Sequence, residues 1–179
     1  SIKPSTTGPV GTVAGFVRDQ YGIGVSGATV GSGAYATVSG SGGSYSLQIS
    51  QGTHSVSAKK QYYTGQTING VVVTAGMTTN LDFTIQANPP DNVTSFTVIP
   101  SDSINRLYWN NPSSGNFQGT MIRYKTTGYP VSHTDGSLLC DRNALPGSSD
   151  SFQHNGLTNG VTSYYKAFTH EDAGHYSGG

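Results

Sequence analysis

GIGVSGATV, residues 22–30, places Gly22, Gly24 and Gly27 at the spacing G-x-G-x-x-G. That spacing cradles a dinucleotide pyrophosphate when a strand runs into it and a helix leaves it, because the helix N-terminus supplies the amides and the dipole that hold the phosphate. The flanks therefore decide between a phosphate site and a turn. Upstream, GTVAGFVRD puts Val13, Gly15 and Val17 on one face and Thr12, Ala14, Phe16 and Arg18 on the other, the two-residue period of a strand. Downstream, GATVGSGAYATVSG continues with Ala28 and Val30 and without the apolar stripe of a helix, and its Gly and β-branched content is poor for one. The helix half of the motif is missing. We read Gly22, Gly24 and Gly27 as positions needing positive φ or a bulge in a hairpin-like connection, and expect no nucleotide.

Composition extends that reading to the whole chain. Its 179 residues suit two small domains, since about 100 residues is a common size for a compact β module. With 25 Gly, 11 Tyr and 8 Pro, the balance favours strands and turns, because Tyr fits a half-buried pleated surface while Gly and Pro punctuate it. Charged residues are 10%, with Lys+Arg and Asp+Glu both 9, so no polycationic surface is available for nucleic acid or anionic lipid. Cys140 is the single cysteine, which rules out an intramolecular disulfide and a Cys-based zinc site. No stretch approaches the roughly 20 apolar residues of a membrane span. Ser1 opens without a charged and then apolar leader, so an export signal is expected to have been removed or to lie outside this segment.

After the aperiodic SIKPSTTGP, an irregular leader at 1–9, the first region reads as paired strands. In SYSLQISQGTHSVSAKK, Tyr45, Leu47 and Ile49 alternate, Gly52 breaks the run, and His54, Val56 and Ala58 alternate on the return, which predicts a hairpin. A further pair is expected in GVVVTAGMTTNLDFTI, with Leu81, Phe83 and Ile85 on one face. So many short strands in so few residues make a sandwich or a partly open barrel. The order G-x-V-x-D-x-x-G, S-G-A-x-V, G-x-Y-x-L, G-x-H-x-V-x-A and N-L-D-F resembles the carboxypeptidase regulatory-like domain, a prealbumin-like β-sandwich, over residues 10–86. The resemblance implies that the opening glycines form the turn between the first two strands.

ANPPDN begins a linker at 87–91, because consecutive prolines lack amide donors and hold the chain extended. Beyond it, VTSFTVIP points Phe96 and Val98 to one face, INRLYWNNP turns Leu107 and Trp109 inward, and GTMIRYKTT does the same with Ile122 and Tyr124. TSYYKAFTH is the last clear strand, and the stretch between residues 129 and 160 is read as rich in turns. The elements L-Y-W-N-N-P, I-R-Y-K, G-L-T-N-G-x-T-x-Y-Y and D-A-G-H-Y-S resemble a bacterial fibronectin type III domain over residues 90–179. Ser163 stands where that family's corner tyrosine would align, with Tyr164 one residue later. The sequence ends at HYSGG where a final strand would begin, so truncation within a longer polypeptide and an exposed sheet edge are expected.

Chemistry-bearing motifs are sparse. HEDAGH, residues 170–175, has its histidines too far apart for a zinc-protease helix and follows a strand, so His170 and His175 are expected in a solvated turn. Asp135 near His133, and Glu171 with Asp172, lack EF-hand spacing, and no metal or cofactor is expected. No serine sits in a nucleophile elbow, no carboxylate pair stands out, and Cys140 reads as a small buried residue. The aromatics remain. Trp109 belongs to the core, whereas Tyr164 and Phe168 face outward if Tyr165 and Ala167 face in, and Tyr62, Tyr63, Tyr129 and Tyr176 sit in or near turns. Exposed tyrosines on rigid elements stack on sugar rings, and these six are the candidate carbohydrate-binding residues.

The expectation is an all-β chain of two tandem β-sandwich domains, 10–86 and 92–179, the second lacking its last strand. It is read as a monomeric, non-catalytic accessory region of a larger exported bacterial protein, extracellular or at the cell surface. A polysaccharide is the expected partner, without nucleic acid or membrane insertion. A structural spacer, or a protein-interaction module pairing through a strand edge, is the alternative.

Overall fold

The computed structural model describes residues 8–179, so most of the expected leader lies outside the described residues. The chain is all-β, and no helix is long and apolar enough to cross a membrane. Two compact units divide between Asn88 and Pro89.

The first unit contains β1 (Val10–Arg18), β2 (Thr29–Ser32), β3 (Tyr35–Val38), β4 (Ser44–Ser50), β5 (Gly52–Lys59), β6 (Tyr63–Thr64), β7 (Gln66–Val73), β8 (Thr78–Asn80), β9 (Phe83–Thr84) and β10 (Gln86–Ala87). One sheet has the order β4-β1-β8, with β9 also on β1; the other runs β3-β2-β5-β7, and β10 pairs with β6. The two-residue period works out as expected, since Val13, Val17, Ala28, Val30, Leu47, Ile49, Val56, Phe83 and Ile85 are all buried in one core. Their partners differ from the sequence reading. The expected hairpin of β4 and β5 does not form, because β4 pairs with β1 while β5 pairs with β2 and β7. Likewise β8 leaves β7 and runs parallel to β1. Alternation identifies which face of a strand is apolar, and a sandwich satisfies two consecutive apolar faces by placing the strands in opposite sheets.

The glycine stretch makes the turn out of β1. Gly22 and Gly27 have φ of 80° and 76°, a backbone that L side chains rarely adopt. Gly24 is needed for space, since a Cβ there would stand 2.2 Å from the Gly42 carbonyl oxygen. The Asp19 carboxylate, only 2% exposed, organises the turn by accepting the Tyr21 and Ile23 amides at 2.9 and 2.8 Å. The chain then enters β2, and the phosphate-binding helix is absent from this turn.

The second unit contains β11 (Thr94–Ser101), β12 (Ile104–Asn110), β13 (Gly119–Lys125), β14 (Ser137–Asn143), β15 (Ser149–Asn155) and β16 (Tyr164–His170). Its sheets are β11-β12-β15 and β14-β13-β16. Leu107, Trp109, Ile122, Cys140, Tyr165 and Ala167 form the core, with Phe96, Val98, Tyr124 and Phe152 packed against it. The stretch expected to be rich in turns holds two strands, β14 and β15. In β15 most positions are exposed or half-exposed polar residues, so its period is carried by Phe152 alone; β14 is interrupted by a bulge opposite Ile122 and Arg123. The expected linker belongs to both units: Ala87 lies in β10, whereas the Pro90 and Asp91 carbonyls accept the Thr169 hydroxyl at 3.2 and 2.9 Å.

Candidate functional site

Alternation along β13 and β16 builds a surface as well as a core. With Ile122, Tyr124, Tyr165 and Ala167 inward, the register Met121↔Phe168, Arg123↔Lys166 and Lys125↔Tyr164 falls on the opposite face. Two segments fold over this face, the connection from β13 to β14 and the residues after β16. From the first, Tyr129 meets Tyr164 edge to face, with centroids 5.2 Å apart and planes at 74°. His133, from the same connection, stacks on Tyr176 from the second segment at 4.1 Å and 5°. Tyr176 in turn lies 5.2 Å from the His170 ring, and His170 Nε2 is 2.8 Å from Asp141 Oδ1. Burial, reinforced by the Asp141 charge and opposed by that of Arg123, raises the Tyr176 phenol above its ordinary range.

Three expected residues therefore share one face: Tyr129, Tyr164 and Tyr176. Tyr129 is 66% exposed and Tyr164 half-buried. Tyr176 is a support more than a platform, since His133 covers one side of its ring. Phe168 has to be corrected. It points away from the core as alternation requires, yet it is 1% exposed, so it cannot present a ring to a ligand. Buried Met121 lies opposite it, the Lys166 ammonium sits 5.4 Å from its ring centre, and Gly179 lies against its edge. His133 enters the face instead. Nothing in its local sequence marks it, because the stack joins two segments distant in the chain.

The other candidates are occupied. His170 and His175 turn to different carboxylates, Asp141 and Glu171, and the Ala173 and His175 amides cap Glu171 in a turn. Asp135 accepts the Val131 amide at 2.8 Å and the Lys125 ammonium at 3.0 Å, and these hold its carboxyl below the usual carboxylate range. The Cys140 thiol is buried and pushed up to about 11 by desolvation, which leaves little thiolate for nucleophilic chemistry at neutral pH.

In the first unit, the glycine turn and Asp19 belong to the G-x-V-x-D-x-x-G stretch, and β2, β4 and β5 carry the next motifs of the resemblance. Residues 12–86 match the model of the carboxypeptidase regulatory-like domain. No curated protein matches the chain. Solved structures are similar at low identity. A type II cohesin-X-dockerin complex mutant from Acetivibrio cellulolyticus is 22% identical over 43% of this chain, which spans 58% of that chain's length, with a TM-score of 0.38. A DUF3823 family protein from Bacteroides ovatus is 15% identical over 94% of both chains, TM-score 0.39, and the FN1–FN3 domains of chicken CNTN1 are 11% identical over 94% of this chain and 65% of theirs, TM-score 0.40. Within the matched residues 12–86, Tyr62 is 41% exposed at a φ of 63°. Its neighbour Tyr63 packs against the core, with the Lys60 ammonium 5.1 Å from its ring centre. With Tyr63 turned to the core and Tyr62 exposed on left-handed turn backbone, these two tyrosines do not form a common platform.

Proposed function

We propose that the chain is a non-catalytic accessory region of a larger exported bacterial protein, extracellular or at the cell surface, and that its second unit is a fibronectin type III-like module holding a polysaccharide. The observation that carries this reading is the pairing of Tyr129 with Tyr164 beside the His133–Tyr176 stack on one sheet face. A ring held by its neighbours offers a flat apolar surface at low entropic cost, which suits the apolar face of a sugar. Weak contacts of this kind keep an attached enzyme near its polymer by raising local concentration.

Affinity electrophoresis of the full chain through gels containing soluble polysaccharides tests the reading. Retardation by at least one polymer is expected, reduced roughly three- to ten-fold in affinity by Tyr164→Ala or Tyr129→Ala, the share of one aromatic contact. Equal mobility across a broad panel would overturn it in favour of a structural spacer.

A further inference from the structure

The same face carries charge that the fold does not use. Arg123 and Lys166 stand directly opposite each other in the β13–β16 ladder, both on the outer side. Like charges at directly opposed positions destabilise a sheet, so the placement works against folding unless an anion offsets it. In a chain with only 9 Lys and Arg, such a pair is conspicuous.

The neighbouring groups leave that charge uncompensated. Among the described ion pairs, Lys125 is matched by Asp135, Arg142 by Asp150, and Asp141 and Glu171 by histidines; Arg123 and Lys166 take part in none. Arg123 Nη1 donates to the Gly136 carbonyl at 3.3 Å, while its buried Nε has no acceptor. Lys166 Nζ leans over the Phe168 ring. Asp141 is the one carboxylate whose field reaches the Tyr176 phenol alongside that of Arg123, and its Oδ1 is already engaged by His170. Arg123 and Lys166 thus stand side by side with no ion-pair partner among the described pairs. Tyr164 lies two residues from Lys166 on the same face, about 7 Å along the strand. A sugar ring stacked on Tyr164 therefore lies next to the strand positions that carry Lys166 and Arg123.

Resting on the glycan reading above, we propose that this face selects a carboxylate-bearing polysaccharide, a uronic-acid polymer, with Tyr164 stacking the ring, Tyr129 bracing Tyr164 edge to face, and Arg123 and Lys166 receiving its carboxylate. Guanidinium and ammonium donors form their strongest hydrogen bonds with such an acceptor. The attraction is electrostatic and partly exposed, so it weakens with salt.

The test uses the full chain in affinity gels of polygalacturonate, alginate, carboxyl-reduced polygalacturonate, dextran sulfate and a panel of neutral polysaccharides. Retardation by a uronate polymer is expected at low salt, weakened roughly ten-fold by carboxyl reduction and by Arg123→Gln or Lys166→Gln. Trp109 fluorescence during denaturation confirms that each variant is folded, and Lys166→Arg should retain binding. Equal retardation by the reduced polymer, or binding unchanged in both Gln variants, would overturn the carboxylate assignment while leaving the glycan reading in place. Equal retention by dextran sulfate would replace it with general anion binding. A chain that no polymer in the set retards would remove both readings.

Discussion

The indole Nε1–H of Trp109 donates to Oδ1 of Asn111 at 2.9 Å, so the largest core side chain of the second unit has its one polar atom satisfied by a residue just past the end of its own strand. The same oxygen accepts the Thr120 hydroxyl at 2.8 Å, and Asn111 Nδ2 donates to Ser148 Oγ at 3.0 Å. One buried amide thereby ties β12, β13 and the approach to β15 together. Replacing it by an apolar residue would leave donors in the core with no acceptor.

Asn111→Leu is therefore expected to destabilise the second unit by about 1–3 kcal/mol for each orphaned group. Trp109 is the single tryptophan, so its fluorescence follows this unit during denaturant unfolding. An unchanged midpoint would show that the network contributes nothing.

Gly24→Ala places a methyl group against the Gly42 carbonyl, where backbone lies on both sides of the contact. Overpacking of this kind costs roughly 1–3 kcal/mol. Calorimetry of the full chain should show a lower transition for the first unit, and a variant as stable as the parent would refute the close-approach reading of this glycine.

Burial pushes the His154 imidazole below its ordinary value of 6.5, beside the Tyr165 hydroxyl at 2.8 Å and the Tyr124 ring at 4.4 Å. A base whose folded pKa is depressed binds protons first in the unfolded chain, so its contribution is complete above about 6.5 and is lost as pH falls below that value. The Trp109 unfolding midpoint of the parent should drop between pH 7 and 5 more than that of His154→Gln. Parallel pH profiles would remove His154 as the cause.

Cys140 should be silent to thiol reagents in the native state and react at once in denaturant, since its sulfur is buried and its thiol pushed up to about 11. Labelling under native conditions at the rate of a free thiol would show that β14 opens readily.

Much of this was legible in the chain itself. The two-residue period picks out Val13, Val17, Leu107, Trp109, Tyr165 and Ala167 as inward, and all of them are buried. The G-x-G-x-x-G spacing could be assigned to a turn because β-branched residues, not a helical stripe, follow it. Strand partners were not legible. Alternation is a property of one strand, whereas the choice between a hairpin and a crossing to the opposite sheet depends on which faces the rest of the chain leaves open, as β4 and β5 illustrate.

The candidate site divides the same way. Sequence by itself determined that Tyr164 and Phe168 leave β16 on the outer side, because pleating fixes the side of each residue once Tyr165 and Ala167 are in the core. Only the tertiary structure decided that Phe168 is covered while Tyr164 remains half-open, that Tyr129 and His133 come to this face, and that Arg123 stands opposite Lys166. Those outcomes depend on strand register and on how two distant segments fold over a sheet, and both are set by packing across the whole unit rather than by any local run of residues.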